Sequence, residues 1–193
     1  MPVLVCWLRR SLTVLCLLLL TLLPLPQFGL EPLQVQAALN TNSYDGNIYA
    51  LYAGNGSLVP PRSTLEQALE ANRAVVIVYY LDDAAASKRY AAVVSELQRL
   101  WGKAVELMPL ATDPLQNRAD GGPTDPAHYW TGVVPQVVVL DSSGTVRLNA
   151  TGQVELSKIN AAISAATGLP LPQGDGQETT MSFNELNSEV VSR

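Results

Sequence analysis

The order of apolar and polar residues predicts alternating strands and helices through the middle of this chain. Residues 74–80 are a nearly continuous apolar and β-branched run, as in a central strand that is covered on both faces. Residues 85–101 then show apolar side chains at helical spacing, and the same spacing turns Lys88 and Arg89 away from that stripe. A second apolar strand is predicted over residues 104–111.

Shorter elements flank this centre. Residues 48–53 predict a short strand, and Ser63-Thr64-Leu65-Glu66 resembles a capping box that starts a helix. Thr124 or Asp125 is placed to cap a short helix with Pro126 in its first turn. Residues 136–140 and 145–150 predict a hairpin, and residues 155–167 predict a last helix that stops at Gly168.

The predicted order is strand, helix, strand, helix, strand, short helix, strand, strand, helix. Helical crossovers between parallel strands, closed by an antiparallel hairpin, give an α/β fold with a central mixed sheet and helices on both faces. We expect one such domain over residues 48–168.

The ends of the chain differ in composition from this domain. Arg9 and Arg10 precede an uncharged, leucine-rich stretch over residues 11–30, and Val35-Gln36-Ala37 resembles a small-residue cleavage site. Residues 1–37 are therefore predicted to be an export signal, or a membrane anchor if uncleaved, because the uncharged stretch of 20 residues matches a bilayer thickness. Residues 38–47 are predicted to be a linker and residues 169–193 a disordered acidic tail.

Charge and cysteine content limit the classes of function. The chain has 12 Lys and Arg against 17 Asp and Glu, which argues against a nucleic-acid partner. Its two cysteines, Cys6 and Cys16, both lie in the leader, so the body is predicted to lack disulfides and thiolate metal sites. We predict no cofactor and no metal. The only histidine, His128, is assigned to packing or capping, and Asp82-Asp83 to a solvated loop.

One turn and one proline indicate a more specific class. Ala84-Ala85-Ala86-Ser87-Lys88 follows the first buried strand, and Val134-Pro135 precedes a later one. This arrangement resembles thioredoxin over about residues 48–168, with Ala84 and Ser87 at the two cysteine positions and Pro135 at the cis-proline. Because a thiolate is the species that attacks a disulfide, the resemblance implies a protein that is not an enzyme.

The resemblance also implies a surface. A cis-proline loop beside a helix N-terminus leaves backbone groups that pair with an extended client segment in thioredoxin-like proteins. The candidate partner-binding groove consists of Asp83, Ala84, Ser87, Lys88, Val134, Pro135 and Gln136. The alternative is that this groove is vestigial and the loop merely closes the fold.

A narrower family resemblance rests on the leader, the cysteine-free body and two segments. Tyr79-Tyr80-Leu81-Asp82-Asp83 and residues 125–136 are similar to the cyanobacterial thylakoid membrane photosystem I accumulation factor family. This resemblance implies a lumen-facing protein at the thylakoid membrane that supports photosystem I accumulation by binding a protein partner, such as a photosystem subunit or assembly factor. Two alternatives stay open: an accessory of a thiol-disulfide oxidoreductase system, and an exported, periplasmic binding module unrelated to photosynthesis.

Overall fold

A computed structural model describes residues 39–172. Four strands form one mixed sheet within these residues: β1 (Ala74–Tyr80), β2 (Val105–Ala111), β3 (Gln136–Leu140) and β4 (Val146–Thr151). Their spatial order is β2-β1-β3-β4. The β1–β2 pair is parallel, whereas β1–β3 and β3–β4 are antiparallel. The mixed sheet flanked by helices confirms the predicted thioredoxin-like fold class, but it has four strands where five were predicted.

Four α-helices accompany the sheet in the described part of the chain. They are α1 (Ile48–Ala53), α2 (Leu65–Glu70), α3 (Ala85–Trp101) and α4 (Leu156–Thr167). A 3₁₀ helix at Pro126–Tyr129 takes the place of the predicted short helix, with Asp125 as its N-cap. The bounds predicted for α3 are confirmed, and α4 ends at Gly168, whose φ of 71° lies in the left-handed region.

Alternate residues of β1 belong to two apolar clusters, one on each face of the sheet. Val76 and Val78 pack with α1, α3 and α4 on one face. Val75 and Ile77 pack with α2 and the 3₁₀ helix on the other. Because all seven residues of β1 are buried, both faces of the sheet are covered at its centre.

The strand predicted over residues 48–53 is wrong, because these residues form α1. Asn47 caps this helix by accepting hydrogen bonds from the N–H groups of Tyr49 and Ala50, and Gly54 ends it in the left-handed conformation. Tyr49 packs edge-on against Tyr80 with ring centroids 5.1 Å apart. The strand propensity of Ile and Tyr is therefore overridden by two caps and an aromatic contact.

The capping box of α2 is real but lies one residue further along than predicted. Thr64, rather than Ser63, is the N-cap, and Gln67 closes the reciprocal bond.

The loss of the predicted first strand leaves β2 at the edge of the sheet in the described region. The N–H of Thr112 continues the ladder to the carbonyl of Tyr80. By alternation, the N–H groups of Met108 and Leu110 face β1, and the buried Pro109 lies between them with its nitrogen directed away from β1.

Candidate partner-binding site

The predicted groove lies at the end of the sheet where β1 finishes and β3 begins. The β1–β3 register places Tyr79 opposite Gln136, so the turn after β1 and the proline before β3 come from the same end of adjacent strands. The Val134–Pro135 peptide bond is cis, which confirms the prediction for Pro135. The sulfur-free turn and the cis-proline loop are thus neighbours in the fold.

Ala84 and Ser87, the two residues that the sequence comparison with thioredoxin assigned to the cysteine positions, lie in different surroundings. Ala84 is the N-cap residue of α3, half-buried, and its methyl group makes no capping hydrogen bond. Ser87 is only 2% exposed, and its Oγ accepts a hydrogen bond from the N–H of Leu81 at 3.1 Å. Ser87 therefore satisfies a backbone donor of the turn and does not present its hydroxyl to solvent.

Lys88 is fully buried, and the sequence-based expectation that it lies on the polar side of α3 is wrong. Its Nζ forms a short ion pair with Oδ2 of Asp45, whose side chain is 5% exposed. The same ammonium group lies 5.7 Å from the centre of the Tyr52 ring and 3.4 Å from Oγ of Ser43. A charge without solvent access is stabilised here by a counter-charge and hydrogen bonds.

These contacts also change the acidity of the groups around Lys88. The hydrogen bond from Lys88, reinforced by one from the hydroxyl of Tyr52 at 2.7 Å, lowers the pKa of Asp45 from 3.8 to about 2. Burial, together with the bond to Asp45, raises the pKa of Tyr52 from 10.0 to about 12. Asp45 is therefore ionised and Tyr52 neutral throughout the physiological range.

Residues 42–45, here called the N-terminal strap, lie across the first turn of α3. Oδ1 of Asn42 accepts a hydrogen bond from the N–H of Ala85 at 3.0 Å, one turn before the Asp45–Lys88 pair. The strap belongs to the stretch predicted as a linker, yet it caps the helix end where thioredoxin-like enzymes hold sulfur.

Gln136 fixes the loop that carries the cis-proline. It is fully buried, and its Oε1 accepts hydrogen bonds from the N–H and the hydroxyl of Thr131, both at 3.0 Å. Its Nε2 donates to the carbonyl of Tyr129 at 2.7 Å and to Oδ1 of Asn149 at 2.8 Å. One side chain thereby joins the 3₁₀ helix, the loop and β4.

Val134 keeps its backbone groups open. The N–H of Leu81 donates to Oγ of Ser87, and the carbonyl of Leu81 accepts from the N–H of Ala84. Both backbone groups of Leu81 are therefore used within the turn, and the β1–β3 ladder ends before it reaches Val134. The carbonyl of Pro135 accepts a hydrogen bond from the N–H of Gly152 at 2.8 Å. Within residues 39–172, no hydrogen bond engages the N–H or carbonyl of Val134.

The structure thus divides the seven predicted groove residues into two sets. Asp83 is exposed, and Ala84 and Val134 are half-buried, so these three line the accessible surface. The buried set supports that surface from below and consists of Ser87, Lys88, Pro135 and Gln136. Val133, at 50% exposure, extends the accessible surface and had no sequence signal beyond its position before the proline.

The remaining candidates lie at the margins of the site or away from it. Asp82 is half-buried, and burial raises its pKa, while Asp83 beside it is exposed. Nδ1 of His128, in the 3₁₀ helix, lies 2.9 Å from the carboxylate of Asp120, which belongs to an exposed loop. Between residues 39 and 172, no three His, Cys, Asp or Glu side chains are arranged to hold a metal ion.

A sulfur-free turn at a helix N-terminus, facing a cis-proline loop on a mixed sheet, defines a thioredoxin-like protein without the dithiol. Over 156 residues, the chain is 38% identical to the thylakoid membrane protein slr1796 of Synechocystis sp., covering 80% of this chain and 77% of that protein. The chain belongs to the family of this thylakoid membrane protein.

A mutant thioredoxin from Halobacterium salinarum superposes with a TM-score of 0.43 and 17% identity, over 58% of this chain and 90% of that one. No protein-family model matches the chain.

No helix in the described part of the chain is both long and apolar enough to span a bilayer. The predicted signal or anchor over residues 1–37 and most of the predicted tail lie outside the described residues.

Proposed function

We propose that this protein is a non-catalytic assembly or stability factor that supports photosystem I accumulation at the thylakoid membrane by binding a protein partner. The observation that carries this proposal is the pairing of a sulfur-free turn with an open backbone at Val134. The domain faces the lumen in this proposal, because the basic, leucine-rich leader is typical of export.

The chemistry of the turn supports a role without electron transfer. A methyl group at Ala84 cannot form the anion that the helix N-terminus would stabilise, and the buried hydroxyl of Ser87 is occupied by Leu81. The two cysteines of the chain lie at positions 6 and 16, far in sequence from this turn. No residue pair of this site can exchange a disulfide.

The open backbone supports a role in binding. An unpaired N–H and carbonyl at Val134, beside exposed Asp83 and Val133, offer an extended segment two main-chain hydrogen bonds and side-chain contacts. Gln136 holds the loop rigid, which lowers the entropy lost on binding.

Capture of the partner tests the surface directly. The tagged full chain is used to purify proteins from solubilised thylakoid membranes, and photosystem I subunits and assembly factors are quantified by mass spectrometry. We expect Ala84→Arg to abolish capture, because a long cationic side chain would fill the accessible surface. Ala161→Arg, on the exposed side of α4, is the matched control and should capture like wild type.

The photosystem role has its own test. Deletion of the gene in its photosynthetic host should lower the ratio of photosystem I to photosystem II, and re-expression of the wild-type chain should restore it. An unchanged ratio would favour an exported binding module of another process. Insulin reduction by the purified protein with dithiothreitol should stay at the background rate, and turnover would identify a thiol-disulfide function instead.

A further inference from the structure

We infer that the outer edge of β4 is a self-association surface, on which a second copy of this chain adds its own β4 in antiparallel orientation. Such pairing is additional to the proposed binding of a partner protein and depends on the backbone of the sheet.

The outer side of β4 has open backbone groups. β4 is the last strand of the sheet, and none of the residues that the structure describes pairs with its outer side. The N–H of Gly152 donates to the carbonyl of Pro135, and this bond sets the alternation along β4. Ala150 therefore also faces β3, whereas Asn149 and Thr151 direct their N–H and carbonyl groups away from the sheet.

These outward groups are accessible. Asn149 and Thr151 are both exposed, and no hydrogen bond to their N–H or carbonyl groups occurs within residues 39–172. The side chain of Asn149 is held from inside the sheet by Nε2 of Gln136 at 2.8 Å, so the backbone at this position is well supported.

The opposite edge of the sheet is closed to such pairing. In β2, Pro109 has no N–H, and the carbonyl of Val105 accepts a hydrogen bond from Nη2 of Arg73 at 2.9 Å. Residues 105–109 are also buried. Proline, covering elements and occupied backbone groups are the devices by which natural sheets protect their edges.

β4 carries such protection only at its first half. A β-bulge lies between the partners of Val139 and Leu140, and Arg147, the one charged residue of β4, stands at this bulge. Its guanidinium is held by Asp141 at 2.7 Å. Residues 148–152 have no proline, no charge and no bulge, and are therefore the part of the sheet edge that is open to strand addition.

A second β4 matches this open segment in one register. When the two copies of Ala150 lie opposite each other, Asn149 of each copy lies opposite Thr151 of the other, and four main-chain hydrogen bonds can form. A register centred on Asn149 would instead place Thr151 opposite the bulged Arg147. A register centred on Thr151 would place Asn149 opposite residue 153, beyond the end of the strand.

The side chains also tolerate this register. It places Leu148 opposite Gly152 of the other copy and Arg147 opposite Gln153, so no like charges face each other. Since each copy supplies the same residues, the contact has twofold symmetry, the commonest arrangement of protein dimers. Thr151 lies opposite Gln136 within each copy, so the pairing segment adjoins the cis-proline loop.

The test uses the full chain in the membranes of its host, with Cys6 and Cys16 replaced by Ser. Ala150→Cys in this background places two thiols at the axis, where Cα atoms of a non-hydrogen-bonded antiparallel pair lie about 4.5 Å apart, within disulfide range. Mild oxidation should give at least about tenfold more covalent dimer than Ala161→Cys, an exposed control on α4. No excess over this control, or linkage of Ala150→Cys to a different protein, would overturn the inference.

Two substitutions at Thr151 separate the backbone from the side chain. Thr151→Pro, added to Ala150→Cys, removes an outward N–H without removing a bond to β3, and should lower the yield of dimer to that of the control. Thr151→Ala keeps this N–H and should leave the yield unchanged. Equal yields from the two variants would show that the contact does not run through the main chain.

Hydrogen exchange on the purified wild-type chain decides if Thr151→Pro does not fold. The amide of Thr151 should exchange more slowly as the protein concentration rises, because pairing protects it. The amide of Thr145, which already donates to Asp141 at 3.0 Å, should show no such dependence. Exchange at Thr151 that is independent of concentration would contradict pairing through β4.

Discussion

Asp45 and Lys88 form a buried ion pair between the segment that enters the domain and the first turn of α3. Tyr52 completes the contact from α1, with its hydroxyl on Asp45 and its ring 5.7 Å from the ammonium group. The end of the domain that should meet a partner is thereby linked to the segment that follows the predicted leader in sequence.

The buried ion pair predicts an unusual order of stability among variants of Asp45 and Lys88. Asp45→Ala should lower the urea midpoint more than the double variant Asp45→Ala/Lys88→Met, because the single change leaves a buried ammonium group without its counter-charge. Urea unfolding of wild type, both single variants and the double variant checks this. Losses of stability that simply add in the double variant would show that the two residues do not act as a pair.

Acid should weaken the same contact in a defined range. The pKa of Asp45 is about 2 in the folded protein against an ordinary value of 3.8. Its contribution is therefore complete above about pH 4 and is lost as the pH falls toward about 2. Hydrogen bonds from Ser143 and Arg147 also lower the pKa of Asp141 to about 2, so the wild-type curve alone cannot isolate Asp45.

The contribution of Asp45 is isolated by comparing the stability of wild type with that of the Asp45→Asn variant. The difference between their free energies of unfolding should shrink as the pH falls from about 5 to about 2, since protonation removes in wild type what the substitution has already removed. A difference that stays constant over this range would contradict the assignment.

Gln136 should matter for both stability and binding. Gln136→Leu keeps a similar volume but leaves the carbonyl of Tyr129 and the N–H of Thr131 without their partner. We expect a loss of about 1–3 kcal/mol in the free energy of unfolding and weaker partner capture. Val146→Ala, at an exposed position of β4, is the control and should change stability by less than about 0.5 kcal/mol. Unchanged capture by folded Gln136→Leu would argue against a rigid binding loop.

A thiol placed at the helix end should report on its electrostatic field. Ala84→Cys, in a background with Cys6 and Cys16 replaced by Ser, puts sulfur at the N-cap position of α3. Its pKa should lie below the ordinary value of about 8.5, because unsatisfied N–H groups favour the thiolate. The pH dependence of alkylation by iodoacetamide measures this, with Val133→Cys as the exposed control. Equal pKa values would show that the strap already neutralises the field.

Local patterns were sufficient to predict most elements of the fold. The β-branched composition of β1 favours a strand, the apolar spacing of α3 favours a helix, and both elements were predicted with accurate bounds. The element at residues 48–53 was predicted wrongly, because a six-residue run with Ile and Tyr is compatible with either a strand or a helix. The caps at Asn47 and Gly54 decided for the helix.

The candidate site was harder to predict because its supports are distant in sequence. Lys88 has a polar side chain on an amphipathic helix, and only its partner Asp45, 43 residues earlier, explains its burial. Gln136 is likewise buried through contacts with a loop and with β4. The position of Pro135 beside the turn, in contrast, was already indicated by Val134-Pro135 standing directly before a strand.

Pro109 at the outer edge of β2 bears on how these molecules behave when crowded. A strand edge is a template on which further chains can add, and Pro109, which is buried at this edge, has no N–H to donate to such growth. We expect the protein to remain dispersed at high local density, with growth of the sheet beyond a closed pair of molecules disfavoured.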